Sequence, residues 1–444
     1  VVLALLIYLT RKSVVRVREF YADLRASTWD SQSVAMWVVH ELAKPPKKLD
    51  FWQRIDKNHP DWGVRQRILE NPNPLLQMGF WDAFATGMAT MIPFANFVGL
   101  AQITRQTVAP SLRPMLDIFT FFVPVLLSAI VIIYVIGSGT WRTTFAAVAC
   151  EKSVLGINKL GIGLALGVVV GQQISFVGAS KFLSNPLILL LWGGLLMISF
   201  TAFFQWMAAS AKVWLPIAAI SQSPRIFYRW GIAIASGIFA NLFVSMFKTF
   251  IAWNNQSSAH LVIAFNPLIS LALIGLWAYP MSSWFWRKRV ERLPVSEWLF
   301  LDSPTQTIRL SPQVQLNPTL PLICGLVGGL VGYALVFIGV ALDGNILKFI
   351  FPLSICIQVL VAGFVAAWMR HLGSIQGLFS ASVAACILSS SVSSSLFTHT
   401  HFSLADTLFL VTGVFNSGGL VAVPTVLIAS EIANWLRNSK QFGV

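Results

Sequence analysis

Long apolar runs without charge recur along most of this chain, and they constrain its fold more than any other feature. Each run is close to the length of about 20 residues that a helix needs to cross a bilayer. Only 11% of the residues are charged, whereas soluble domains have about 25%. These features exclude a soluble enzyme, a disulfide scaffold and a disordered chain. The runs lie at 78–103, 115–137, 158–179, 186–208, 230–250, 259–280, 319–342, 346–369, 374–396 and 404–428.

The runs predict an all-α polytopic membrane protein with about ten transmembrane helices and the lipid bilayer as its surroundings. Lys and Arg number 31 against 17 Asp and Glu. If residues 10–77 are cytoplasmic and the spans alternate, most of these basic residues fall in cytoplasmic segments, as the positive-inside rule requires. We therefore predict that residues 10–77 and the C-terminus are cytoplasmic. The positive charge then belongs to membrane-flanking loops, and no nucleic-acid partner is expected.

Changes of polarity divide the chain into five segments. Residues 1–9 are apolar but too short to cross a bilayer, and we expect them to be the end of a truncated span. Residues 10–77 form the one long polar region. The membrane region is predicted over 78–280 and again over 319–444. Between its two parts, 281–318 is predicted to be a basic and aromatic cytoplasmic loop.

A charged string, RVREFYADLRA at residues 16–26, follows the first apolar segment. By itself, a Glu and an Asp one turn apart among arginines is typical of a salt-bridged surface helix. The string also resembles the R-x-x-E-[FY]-x-A-D-x-x-A signature of HtpX-like and CAAX-prenyl-protease-like zinc metallopeptidases. That family has a later His-Pro with an Arg beyond it, and here His59 and Pro60 precede Arg65 and Arg67.

The resemblance implies a role for each matching residue. Glu19 would be the third zinc ligand, and Asp23 would accept a hydrogen bond from a ligand histidine. His59, with Arg65 or Arg67, would donate near the scissile carbonyl; the alternative for His59 is a turn residue before a proline. Residues 10–77 would then be the helical remnant of a zinc peptidase domain. The resemblance also implies that the protein hydrolyses peptide or membrane-protein substrates at the cytoplasmic face of a prokaryotic plasma membrane.

One required motif is absent from the sequence. The family carries H-E-x-x-H before the ligand glutamate, to supply two zinc ligands and the general base. The chain has six histidines, none of them four residues from another, and His40-Glu41 is followed by Lys44 where the second histidine is needed. We expect that the histidine helix was lost by truncation; the other explanation is a degenerate relative without catalytic activity.

The alternative function is a polytopic transporter or a non-catalytic membrane protein in which residues 10–77 are only a loop. It depends on Asp82, Asp117 and Asp406, which lie in or near predicted spans, where ionisable groups are costly and commonly functional. Their closeness to span ends, where water is within reach, is the competing explanation.

Overall fold

The computed structural model describes residues 19–20, 22–23, 26, 30–42, 62–70, 78–107, 109–149, 156–175, 186–220, 224–254, 267–290, 316–343, 346–369, 372–399 and 403–441. In this part of the chain the regular elements are helical. We number the α-helices α1 Ser31–Leu42, α2 Trp62–Glu70, α3 Phe80–Thr107, α4 Arg113–Ile132, α5 Ser138–Ala149, α6 Ile157–Ile174, α7 Pro186–Ile220, α8 Pro224–Asn254, α9 Pro267–Val290, α10 Thr319–Asp343, α11 Ile346–Trp368, α12 Gly373–His399 and α13 Leu404–Gln441.

Ten helical segments in the described residues are long and apolar enough to cross a membrane. They follow the ten predicted runs in order, so the prediction of an all-α polytopic membrane protein is confirmed. The second run falls in α4 and α5, which are joined without a break by a π-helical segment, Ile133–Gly137.

Several helices extend beyond the runs that predicted them. Helix α7 continues to Ile220 through an apolar stretch in which Trp214, Leu215 and Ile217 are buried. Helix α13 continues to Gln441 through polar sequence, because backbone hydrogen bonding does not stop where the apolar sequence stops. The predicted loop 281–318 is helical over its first ten residues, since α9 continues through Trp284 and Phe285 to Val290. Aromatic residues are common at the membrane–water interface, and here they lie on a helix end.

Helices α3 and α6 pack with their backbones in close contact. Gly163, Gly167 and Gly171 lie one turn apart on α6 and are buried against α3. A Cβ at Gly163 would lie 2.5 Å from the carbonyl oxygen of Phe80. A Cβ at Gly167 would overlap the carbonyl oxygen of Phe84. Small residues at this spacing allow the close approach on which helix association in lipid depends.

The buried apolar residues divide between two groups of helices. Helices α3 to α9 share a large core whose biggest buried side chains include Trp141, Trp192 and Phe239, and Ile375 of α12 also enters it. Helices α10 to α13 are held by smaller clusters, into which Ile269 and Leu273 extend from α9. Helix α9 therefore belongs to the boundary between the two groups.

Uncharged polar side chains join α11 and α13 of the second group to each other and to α9. Ser354 and Gln358 of α11 each donate a hydrogen bond, at 3.1 Å, to the carbonyl oxygen of Val414 in α13. Gln358 Nε2 also donates to Ser354 Oγ at 2.7 Å. Ser270 Oγ of α9 donates to Asn416 Oδ1 of α13 at 2.8 Å. We call these residues the neutral polar cluster, and such bonds help to hold helices together in lipid.

Candidate functional site

Asp23 and Arg65 form a two-bonded ion pair outside the membrane-spanning helices. Arg65 Nε donates to Asp23 Oδ2 at 2.6 Å, and Arg65 Nη2 donates to Asp23 Oδ1. The Arg65 and Asp23 side chains are only 11% and 9% exposed. This geometry matches the planar fork of a guanidinium to both oxygens of a carboxylate, the strongest arrangement for such a pair. The pair joins residues 42 positions apart.

Two tryptophans cover the guanidinium of Arg65. Its central carbon lies 5.1 Å from the ring centroid of Trp37 and 4.2 Å from that of Trp62. The two rings meet edge to face, with their centroids 4.6 Å apart. A cation over an aromatic face is attracted by the ring's electron density, more strongly where water is excluded. The ion pair and the rings together form a compact unit, which we call the Asp23–Arg65 cluster.

Local sequence explains how α1 and α2 present these side chains. Asp30 accepts a hydrogen bond from the backbone N–H of Ser33 at 3.0 Å, which caps the start of α1. In α2, Trp62 and Arg65 are three residues apart and so share one helix face. The turn signal NHPD at residues 58–61 predicts a short helix over 64–69, and α2 confirms it. The sequence pattern does not predict α1, although its capping aspartate is a usable signal.

The structure brings some of the site residues predicted from the sequence into contact and leaves others apart. Glu19 is helical and half-buried, one turn before Asp23. Of the two candidate arginines, Arg65 contacts Asp23, whereas Arg67 is exposed and its Nε donates to the carbonyl of Gly63 at 3.1 Å. The structure therefore brings Asp23 and Arg65 together and leaves Arg67 apart from them. His59 lies outside the described residues.

A complete metal site is not found in the described part of the chain. No group of three or more His, Cys, Asp or Glu side chains there could hold a metal ion. His40, on α1, is exposed. Glu19 can offer one carboxylate, but zinc in hydrolytic sites takes three protein ligands. The described residues therefore do not form a zinc site on their own.

Of the three membrane aspartates, Asp82 has a local structural role at the start of a helix. Asp82 lies in the first turn of α3, where Oδ2 accepts a hydrogen bond from the backbone N–H of Gly79 at 2.9 Å. An acidic side chain at a helix start is favourable because the helix dipole is positive there. Asp117 and Asp406 lie in α4 and α13, but their side chains are outside the described part of the structure.

No known protein family, curated protein or solved structure matches this chain. The Asp23–Arg65 cluster joins two segments that are distant in sequence. Its acidic member belongs to the charged string at residues 16–26, and its basic member follows the His-Pro pair.

Proposed function

We propose that residues 10–77 are the carboxylate-bearing part of a membrane zinc metallopeptidase of the HtpX-like type. In this proposal Glu19 contributes a ligand to the metal and Asp23 orients a ligand histidine. The observation that carries the proposal is the ion pair between Asp23 and Arg65, which joins in space the two motifs that the resemblance connects only by their order in sequence.

Asp23 can accept a further hydrogen bond while it is paired with Arg65. Each carboxylate oxygen has two lone pairs, and the two bonds from Arg65 use one on each oxygen. A carboxylate that accepts from a histidine N–H fixes the tautomer and orientation of that ring, which is the usual support for a metal-bound histidine. Asp23, held by Arg65, is suited to this task.

Arg65 is better suited to positioning Asp23 than to contacting substrate. Its guanidinium is paired with Asp23 and lies against the rings of Trp37 and Trp62, and its side chain is only 11% exposed, so a substrate carbonyl has little access to it. Arg67 is exposed and could reach a bound peptide. The donor role at the scissile carbonyl stays a prediction for His59 and Arg67.

The two ligand histidines and the general base would have to come from outside these 444 residues, because the sequence contains no H-E-x-x-H. This requirement gives the first test. In-frame codons ahead of Val1 should encode H-E-x-x-H on a helical stretch. A gene that starts at Val1 would contradict the peptidase proposal.

The second test measures zinc and proteolysis with the protein expressed from its whole gene. We expect one bound zinc per chain by elemental mass spectrometry, and cleavage of casein in detergent. Glu19→Ala should lose both, whereas Glu41→Ala, a matched change on α1, should keep both. Equal zinc and equal cleavage in the wild type and in Glu19→Ala would overturn the assignment of Glu19.

A further inference from the structure

A polar cavity and an apolar cavity lie side by side among the spanning helices. The polar cavity, of about 510 Å³, is bounded by the starts of α6 and α12, the second half of α7 and the last part of α13. The apolar cavity, of about 330 Å³, lies among α7, α8, α9, α12 and α13. Ser374 and Leu427 line both cavities, so the two spaces are separated by little more than these side chains.

The polar cavity carries an excess of positive charge. Lys159 and Lys212 line it, and Glu431 is its acidic residue. Within the described part of the chain, neither lysine ammonium forms a hydrogen bond or an ion pair. Lys212 is half-buried on a membrane-spanning helix. A partly desolvated ammonium that forms no ion pair is costly, and an anion bound beside it in the cavity would lower that cost.

The backbone adds to this positive potential. Helix α6 starts at the cavity after Gly156, whose φ of +84° is readily adopted only by glycine, and its first turn has no side-chain cap. Helix α12 also starts at the cavity, after Leu372 at φ +55°. The first N–H groups of a helix lack partners within the helix, and the dipole makes that end positive. Both helix starts therefore favour an anion.

Hydrogen bonds keep the walls of the polar cavity in place. Gln205 Nε2 of α7 donates to Asn158 Oδ1 of α6 at 2.9 Å, and both residues line the cavity. Arg437 of α13 donates to the carbonyl oxygens of Ala367 and Trp368 at the end of α11. Before any ligand is bound, α6 is thus tied to α7 and α13 is tied to α11, and such preorganisation lowers the entropic cost of binding.

The neighbouring cavity is suited to a hydrocarbon chain. Its walls include Trp206, Leu273, Leu276 and Val423, with few polar atoms. Its volume of about 330 Å³ lies at the lower end of the range of about 300–1,000 Å³ that is typical of small-molecule sites. A ligand that filled both spaces would need a negative group at one end and an apolar chain at the other.

We propose that the paired cavities bind one phosphate-headed lipid. Its phosphate lies between Lys159 and Lys212 at the starts of α6 and α12, and one acyl chain enters the apolar cavity past Ser374 and Leu427. Basic pockets between spanning helices are a recurrent means of binding anionic headgroups. The site lies at the end of the bundle that the charge distribution predicts to be cytoplasmic, where anionic lipids give the membrane its negative surface.

Native mass spectrometry of the purified full chain in detergent tests the proposal. Phosphatidic acid, phosphatidylcholine with the same chains, and inorganic phosphate are titrated separately. We expect phosphatidic acid to bind most tightly. Lys159→Gln and Lys212→Gln should each weaken the affinity for phosphatidic acid about fivefold. Glu431→Gln should strengthen it, because a repelling charge is removed. Arg142→Gln and Arg229→Gln, at exposed residues that do not line either cavity, should leave it unchanged.

The acyl-chain part of the proposal has its own variant. Ala272 lines the apolar cavity, and Ala272→Phe should weaken phosphatidic acid without changing the affinity for inorganic phosphate. If inorganic phosphate bound as tightly as phosphatidic acid, the lipid proposal would be overturned, and the cavity would be a site for a free anion. Equal binding of phosphatidylcholine, or equal loss in the arginine controls, would also overturn the proposal. The opposite effects expected for Glu431→Gln and the lysine variants separate binding from misfolding.

Discussion

Two buried polar clusters in this molecule are built from different chemistry. The Asp23–Arg65 cluster, outside the spanning helices, pairs a full negative charge with a full positive charge and covers the cation with two tryptophans. The neutral polar cluster, within the membrane region, uses Ser, Gln and Asn side chains and a backbone carbonyl. Both are well shielded from water, yet only the first contains ionised groups.

The difference follows from the medium around each cluster. An ion pair near water can be desolvated partially and stabilised by aromatic faces. In hydrocarbon the cost of a charge is much higher, so helices are joined by groups that are polar but neutral. Those bonds are modest, because polar groups in the membrane find alternative partners before the helices associate. Four changes, ordered by expected size, test this contrast.

Removing one partner of the ion pair should have the largest effect. Asp23→Ala leaves the Arg65 cation buried without its counter-charge, which typically costs about 3–5 kcal/mol. We expect faster amide hydrogen exchange in α1 and α2 and no change in the spanning helices. The double variant Asp23→Leu with Arg65→Met should be less destabilised than either single variant, because no charge is left unpaired. Arg67→Ala, at an exposed site, is the control and should stay within about 0.5 kcal/mol.

A methyl group between α3 and α6 should have the next largest effect. Gly167→Ala places a Cβ against the carbonyl oxygen of Phe84, and overpacking of this kind costs about 1–3 kcal/mol. Gly237 of α8 has no atom within 4 Å of an added Cβ, so Gly237→Ala should stabilise the protein by about 0.8–1 kcal/mol. Thermal unfolding in detergent measures both. Equal shifts in the same direction would contradict the close backbone contact.

Loss of a bond in the neutral polar cluster should cost less. Gln358→Leu removes the bonds to Ser354 and Val414, and interhelical bonds of this type are worth about 0.6 kcal/mol on average and about 1.7 at most. Thr412→Val removes a hydroxyl that bonds only within its own helix among the contacts described, and it should change stability by under about 0.5 kcal/mol. If Gln358→Leu lost as much stability as Asp23→Ala, the two clusters would not differ in the way proposed.

The smallest effect is expected at the end of α11. Arg437 of α13 donates to carbonyl oxygens in the last turn of α11, where a cation also interacts favourably with the helix dipole. Arg437→Gln should cost about 0.3–1 kcal/mol, with faster exchange confined to the end of α11. Arg142→Gln, at an exposed arginine on α5, should leave that exchange unchanged.

Sequence reasoning found the spanning helices because length and apolarity together leave few alternatives. It placed α2 within two residues of its observed start. It did not place α1, although Asp30 is a capping signal. It also did not place the ends of α7 and α13, because α7 continues beyond the charge of Lys212 and the last part of α13 is polar. Extended helices of this kind need backbone hydrogen bonding, rather than hydropathy, as the guide to their ends.

The partners within the candidate site were harder to foresee. Arg65 and Arg67 are equivalent by sequence, and only the turn of α2 directs the first of them towards Asp23. The tryptophans come from two helices that are separate in sequence. Lys159 and Lys212 likewise line the same cavity only because α6 packs on α7. Contacts between distant positions depend on tertiary packing, which local patterns do not encode.

The glycine contact between α3 and α6 has a consequence for how the protein enters the membrane. Both helices are among the less apolar of the ten spanning segments, and α3 contains Asp82, Pro93 and Asn96. Each gains much of its burial from the other, through backbones that touch. We therefore expect α3 to remain near the insertion machinery until α6 has been synthesised, and the two to move sideways into lipid as a pair.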